Sequence, residues 1–270
     1  MLLTRAKSSI QARFVQPWIQ HNFERTNYGK RLHDYKGMYA GQRCFLIGNG
    51  PSLCAEDLTT LCEHHEITFA FNRIYNIFDE TPWRPDFYIS QDEKMLSGCM
   101  DIVKSLELPV KLIPIQLKWY YGIDIPNAQY FNIMGQETEV PSAFHFSDEI
   151  DHEIFNASTV MYTAAQMAAY MGFTEIYMIG VDHHFQISQN NKGEIVVDNS
   201  VKDYFSDQYN KDRDSLYIPN TEKSTLTYLA MKQQCSQRGI QVYNATRGGK
   251  LEVFPRADFD SLFQNKSSEG

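Results

Sequence analysis

Arg43-Cys44-Phe45-Leu46-Ile47-Gly48-Asn49-Gly50-Pro51-Ser52 decides how this chain is read. Residues 44–47 are a short apolar run, which predicts a buried strand. The run breaks into Gly-Asn-Gly-Pro-Ser, and a helical pattern follows over residues 55–62. Two glycines between a strand and a helix let the backbone approach a bound group, and a helix N-terminus presents free N–H groups to a phosphate. Ser52 can cap that helix or bond a phosphate oxygen. A nucleotide site and a plain tight connection are both consistent with this turn alone.

The same pattern repeats outward. Residues 67–71 predict a strand ending at Asn72-Arg73, and 86–90 one ending at Gln91-Asp92-Glu93. Residues 111–115 and 129–133 predict further short strands. Residues 175–181 predict one ending at Asp182-His183-His184, and 240–243 a last one. The strongest helix is 158–171, opening at Ser158-Thr159 and stopping at Gly172; 221–238 is another. This alternation predicts an α/β fold, a Rossmann-like, mainly parallel sheet with helices on both faces. Ligands of such sheets bind beyond the C-terminal strand ends. Those ends carry Gly48 to Ser52, Asn72, Ser90 to Asp92, Asp182 to His184 and Asn244 to Arg247.

Composition sets the limits. The chain has 270 residues, 43% hydrophobic and 21% charged, as in a soluble globular protein. A net charge of −8 argues against nucleic acid as a partner. The first 43 residues nevertheless hold eight Lys/Arg against Glu24 and Asp34. Residues 1–40 therefore read as a basic helical arm, with Ile10, Phe14, Trp18 and Ile19 at rough helical spacing. Such an arm either meets a membrane surface, a partner or a second copy, or packs on the domain with a solvated basic face. Residues 41–265 read as one nucleotide-sugar-binding domain. A polar stretch at about 185–215, carrying Tyr204, Phe205 and Tyr209, has the look of a lid. Five cysteines without C-x-x-C or zinc spacing fit a reducing compartment. No apolar run reaches the ~20 residues of a membrane span, and the N-terminus lacks a signal-peptide core. The expected location is the cytoplasm, with any membrane contact peripheral, at the inner face of the cell membrane.

The site chemistry narrows the nucleotide. A dinucleotide fingerprint needs a third glycine, and an acid at the end of the second strand; here stand Leu53 and Asn72. No P-loop signature is present. Neutral donors and acceptors, Asn49, Ser52, Asn72, Gln91 and Ser158, suit a nucleoside monophosphate carrying a sugar.

Ile47-Gly48-Asn49-Gly50-Pro51-Ser52-Leu53, Asn72, Ser158 at a helix start, and Gly172-Phe173-Thr174-Glu175-Ile176-Tyr177-Met178-Ile179-Gly180-Val181-Asp182 resemble bacterial family 42 sialyltransferases. They also resemble the wider DUF115 group, which includes flagellin glycosyltransferases and archaeal 6-hydroxymethylpterin pyrophosphokinases. The resemblance spans about residues 43–250. It implies a CMP-sugar donor, inversion, no required metal or cofactor, and a cell-surface polysaccharide, lipid-linked glycan or protein as acceptor. Asn49, Gly50 and Ser52 would lie by the donor's phosphate and ribose, with Asn72, Ser90 and Gln91 also on the donor. Ser158, with Thr159 beside it, would face the sugar, and Gly180 to Asp182 would flank the base. Tyr204, Tyr209 or Tyr217 would steady the leaving phosphate.

One position departs from that pattern. Those sialyltransferases carry their general base, a histidine, where this chain has Lys223 in Pro219-Asn220-Thr221-Glu222-Lys223-Ser224. A lysine is protonated at neutral pH and cannot take a proton. His184 or His183 is the replacement candidate, with Asp182 as a supporting hydrogen-bond partner. Arg247, beside Gly248-Gly249, is a candidate clamp for phosphate or carboxylate. Asp92, Glu93 and Asp182 would bind Mg²⁺ under the alternative of an ATP-dependent pterin-type pyrophosphokinase. A non-catalytic nucleotide-binding protein is the third reading.

Overall fold

The strands of the main sheet are short and almost solidly apolar because both faces are covered. The computed structural model describes residues 16–206, 209 and 217–264. Its strands are β1 (Arg43–Ile47), β2 (Ile67–Phe71), β3 (Phe87–Ile89), β4 (Val110–Pro114), β5 (Ala128–Phe131), β6 (Ile133–Met134), β7 (Ile154–Phe155), β8 (Glu175–Ile179), β9 (Ile187–Gln189), β10 (Ile195–Val197) and β11 (Gln241–Asn244). Its helices are α1 (Gln16–Asn22), α2 (Asn27–His33), α3 (Ala55–Glu63), α4 (Glu93–Ser105), α5 (Ile115–Tyr121), α6 (Val160–Met171) and α7 (Thr221–Gln237). Seven strands form one sheet in the order β11-β8-β1-β2-β3-β4-β5, every pair parallel. This is the Rossmann-like α/β fold that the alternation predicts.

The order places the site. From β1 the chain steps outward through β2 to β5, then returns to the other side of β1 as β8 and β11. The loops after β1 and β8 therefore leave neighbouring strands towards opposite halves of the sheet, which opens a crevice at the C-terminal ends. Ile47 lies opposite Ile179, so Gly48 and Gly180 emerge side by side.

Local sequence explains the helix that borders this crevice. Thr159 caps α6, its hydroxyl accepting from the Met161 N–H, and Gly172 ends it at φ +89°. Ala164, Ala165, Met167, Ala168 and Met171 are buried, so α6 packs closely on the sheet. Two helices escape the periodicity. In α4, Gly98 precedes Cys99, which sits at non-helical φ/ψ and kinks the helix. In α5, Ile115 starts the helix directly after Pro114, so the apolar run reads as one strand although its last residue is helical.

The described part of the basic arm packs on the sheet domain. Phe23 and Leu32 are fully buried, and Tyr39 stacks on Phe173 at 4.8 Å. The Gly37 and Tyr39 N–H groups donate to the Tyr170 and Met171 carbonyls at 3.0 and 2.8 Å. A Cβ on Gly29 would come within 2.6 Å of the Glu24 backbone, so two helical segments meet there at closest approach. Ile10 and Phe14, and the side chain of Ile19, lie outside the described residues. Among the described residues no helix is long and apolar enough to cross a membrane. The segment after β8 carries an antiparallel hairpin, β9 with β10.

Removing a fully buried phenyl group costs roughly 3–5 kcal/mol. Phe23→Ala is expected to lower the free energy of unfolding, measured by urea titration, by about 3 kcal/mol. A loss under 0.5 kcal/mol would show the arm to be an appendage.

Candidate functional site

The glycine turn after β1 meets the Gly180-Val181-Asp182 turn after β8. Gly48 N–H donates to the Ile179 carbonyl and Gly50 N–H to the Gly180 carbonyl, each at 2.8 Å. A Cβ on Gly48 would collide with the Gly180 carbonyl, and one on Gly50 with the Asp182 carboxylate. Gly180 itself sits at φ +67°, where a side chain is strained. The glycines are thus needed for loop-to-loop contact. The Asp182 carboxylate closes the junction, accepting from Ser52 Oγ at 2.7 Å and Ser52 N at 3.2 Å. Burial raises the Asp182 pKa above the carboxylate norm, although the Ser52 hydrogen bonds oppose it.

These contacts correct four sequence expectations. Ser52 neither caps α3 nor lines the crevice: Cys54 takes the cap position, and the Ser52 hydroxyl is held by Asp182. The exposed Pro51 lies outside the lining as well. Ser90 is fully buried behind Asn72, to whose Oδ1 it donates at 3.2 Å. Arg247 is no phosphate clamp. Its guanidinium forks between the buried Asp57 carboxylate, at 2.8 Å, and Asp260, at 2.6 Å. Those hydrogen bonds hold its pKa far above the ordinary value.

The remaining candidates surround one cleft of about 610 Å³. Gly48, Asn49, Gly50 and Gly180 form one end, with Asn72, Gln91, Ser158 and Thr159 along the polar wall. Asp182, His183, His184, Tyr204, Tyr209 and Tyr217 line the same cleft. Asn49 Nδ2 donates to the Phe71 carbonyl at 3.1 Å, while its buried Oδ1 has no partner. Gln91 Nε2 donates to Asn156 Oδ1 at 2.9 Å, and its Oε1 is likewise buried and unpartnered. Two such acceptors favour a ligand that donates hydrogen bonds, such as a base amino group or a sugar hydroxyl. Among the described lining residues there is no lysine or arginine.

The segment after β10 joins the turn through backbone: Phe205 N–H donates to the Asn49 carbonyl at 3.1 Å. Tyr204 stacks on Tyr209 at 3.8 Å. Tyr209 is buried, with its hydroxyl on the Asn72 side chain and its carbonyl receiving Arg73 Nη1 at 2.7 Å. Tyr217 is exposed at the rim, with Lys94 Nζ 4.1 Å from its ring centroid.

The two histidines differ in setting. His183 sits at φ +54° and packs edge-on against Tyr228. Its Nε2 is 2.7 Å from Thr225 Oγ1, and that hydroxyl donates to the Thr221 carbonyl at 2.8 Å. Thr225 must therefore accept from His183, which fixes the proton on Nε2 and leaves the lone pair on Nδ1. Burial lowers the His183 pKa below 6.5, so the ring is neutral at pH 7. His184 instead points Nε2 at Asp198 Oδ2, 2.9 Å away, with Lys250 Nζ 3.4 Å from the same nitrogen. Asp198 follows β10, so His184 holds the hairpin. Lys223 is exposed and outside the cleft lining, and its N–H serves the Asn220 cap of α7.

Sequence reasoning missed Asn156, Thr225 and Tyr228. Asn156 follows β7, which at two residues is too short to register as periodic. Ser224 and Tyr228 share one face of α7 at i, i+4 spacing, a polar stripe that could have marked the helix as site-facing. The Mg²⁺ trio is not assembled either. Asp182 is committed to Ser52, and Asp92 Oδ1 caps α4 by accepting from Met95 N–H at 2.9 Å. Among the described residues no group of three or more His, Cys, Asp or Glu could hold a metal ion.

Fold and cleft define an α/β protein with a cleft at the topological switch point between β1 and β8. The chain belongs to the MptE-like family: the family model described as "6-hydroxymethylpterin diphosphokinase MptE-like" matches residues 19–188. That match begins inside α1, within the segment packed on the sheet. Among solved structures, the MAf glycosyltransferase from Magnetospirillum magneticum AMB-1 is similar at 15% identity with a TM-score of 0.47, over 87% of this chain and 38% of that one. The chain thus spans well under half of that protein's length. No curated protein matches it.

Two expectations follow from the junction. Arg247→Ala leaves Asp57 buried without its partner and is expected to cost about 3 kcal/mol in urea unfolding, with ligand affinity at the cleft unchanged. Asp182 holds its proton more tightly folded than unfolded. Its contribution to stability therefore declines as pH rises from 3.8 through its raised folded value. The stability of wild type relative to Asp182→Asn should fall across that window, and a difference independent of pH would refute the buried-carboxylate account.

Proposed function

We propose that this chain is a glycosyltransferase that moves a sugar, of the sialic-acid kind, from a CMP-linked donor to a hydroxyl of a glycan, lipid-linked glycan or protein. The observation that carries this reading is a neutral histidine, His183, whose Nδ1 has no partner among the described residues, in a cleft also lined by the amides and hydroxyls of Asn72, Gln91, Ser158 and Thr159. Uncharged groups suit a donor with a single phosphate better than a di- or triphosphate. In this reading His183 Nδ1 takes the proton of the acceptor hydroxyl, and the hydroxyl oxygen bonds to the anomeric carbon. The bond from that carbon to the phosphate oxygen breaks with inversion, and CMP leaves with the electron pair. Asn72 and Gln91 hold the nucleotide, Ser158 and Thr159 face the sugar, and the lid tyrosines stand by the leaving phosphate. No cofactor is required.

A second reading has its own support. Asp92 and Glu93 line the cleft, no Lys or Arg does among the described residues, and the family takes its name from a diphosphokinase. Mg²⁺ is commonly held by one or two carboxylates together with substrate phosphates. Asp92 and Glu93 would be those carboxylates, and the ion would neutralise nucleotide charge.

Thermal shift with CMP, UDP, GDP and ATP, each with and without Mg²⁺, separates the two. A ligand at 100 times its Kd adds about 2.7 kcal/mol. Stabilisation by CMP without metal is the expected result; stabilisation only by ATP with Mg²⁺ overturns the glycosyltransferase reading. His183→Asn should abolish turnover of the CMP-linked donor while keeping CMP binding. In wild type, kcat/KM should fall as pH drops through a value below 6.5, because protonated His183 cannot accept a proton. Full activity in His183→Asn, or loss of activity only in His184→Asn, would transfer the role to His184.

A further inference from the structure

A second depression, of about 520 Å³, lies beyond the β5 edge of the sheet, between the N-terminal helices and the loop that leads into β5. Two of the chain's three tryptophans line it. Trp18, on α1, is 55% exposed, and Trp119, on α5, is half-buried beside Tyr28. An exposed indole in a concave site is costly to leave in water and useful as a flat platform. Around it stand polar groups with nothing to bind. Arg31 makes no ion pair among the described residues, and the exposed side chains of Asn27 and Asn127 make no hydrogen bond there. Lys118 is engaged, donating to Asp124 at 2.9 Å and to the Tyr28 hydroxyl at 3.4 Å.

Flat aromatic rings beside planar amides and a guanidinium match one ligand chemistry well. A sugar ring has an apolar C–H face for the indole, and paired hydroxyls for amide and guanidinium groups. Arg31, without an ion pair among the described residues, adds a preference for a carboxylate or phosphate on that sugar, which it can bind in bidentate fashion. A flat membrane surface fits less well, because the site is concave.

We propose that this groove is a second binding site, for an acidic carbohydrate, separate from the cleft at the switch point. The proposal concerns binding alone and stands whether or not the chain transfers a sugar.

Tryptophan fluorescence of the full chain tests it, since Trp83 is buried and the groove holds the other two. The probes are polygalacturonate, hyaluronan and polysialic acid, with dextran as the neutral polymer. The expected result is a saturable change with at least one acidic polymer, weakened about tenfold in Trp18→Ala and in Arg31→Gln. Both residues are exposed, so both variants should keep the wild-type melting temperature. Three results overturn the proposal: no change with any acidic polymer, an equal response to dextran, or wild-type affinity in both variants. A response to anionic phospholipid vesicles with none to the polysaccharides also overturns it, in favour of a membrane surface.

Discussion

The close approach of two backbone turns at the ends of β1 and β8 is the constraint on which the site rests. Parallel neighbours with Ile47 opposite Ile179 bring Gly48 and Gly180 together before either chain can turn away. Only residues without side chains fit, and the backbone hydrogen bonds then lock one turn onto the other. Asp182 completes the lock by taking both hydrogen-bond donors of Ser52. A half-buried carboxylate is unfavourable unless hydrogen-bonded, and here its partners are supplied by the turn it must hold. With that junction fixed, His183 and Asn49 both line the cleft, and the Phe205 N–H donates to the Asn49 carbonyl.

The fold was legible because fully covered parallel strands read as solid apolar runs, and because helix ends here carry strong signals. Thr159 and Gly172 bracket α6 by cap chemistry alone. The location of the cleft was legible too, since strand ends are polar and the switch point follows from the order of elements. The cause of the glycine motif was not. A turn that accepts a carboxylate from its own chain and one that accepts a ligand phosphate need the same residues, and sequence does not say which anion arrives. Arg247 failed for a related reason. A cation beside two glycines looks like a clamp until Asp57, 190 positions earlier, is brought beneath it. The settings of the two histidines were likewise beyond reach, because Thr225 lies 42 positions from His183 and Asp198 reaches His184 only through the β9–β10 hairpin.

Helix α5 links the two concave sites of the molecule. Its residues Leu117 and Tyr121, one turn apart, face the cleft, while Lys118 and Trp119 face the groove at the β5 edge. A helix with its side chains is about 10–12 Å across, so the two sites are separated by roughly that thickness. α5 is short, starts directly from β4, and ends in a left-handed Gly122, which leaves it little freedom to move independently of the sheet. A polymeric ligand held in the groove would therefore keep its neighbouring units at high effective concentration near the cleft mouth, where Tyr121 and Tyr217 are exposed. That arrangement would raise the affinity of an extended chain without any further contact to the reacting unit, and it would leave short fragments almost unaffected. Discrimination by ligand length would then arise from the placement of one seven-residue helix rather than from the walls of the cleft.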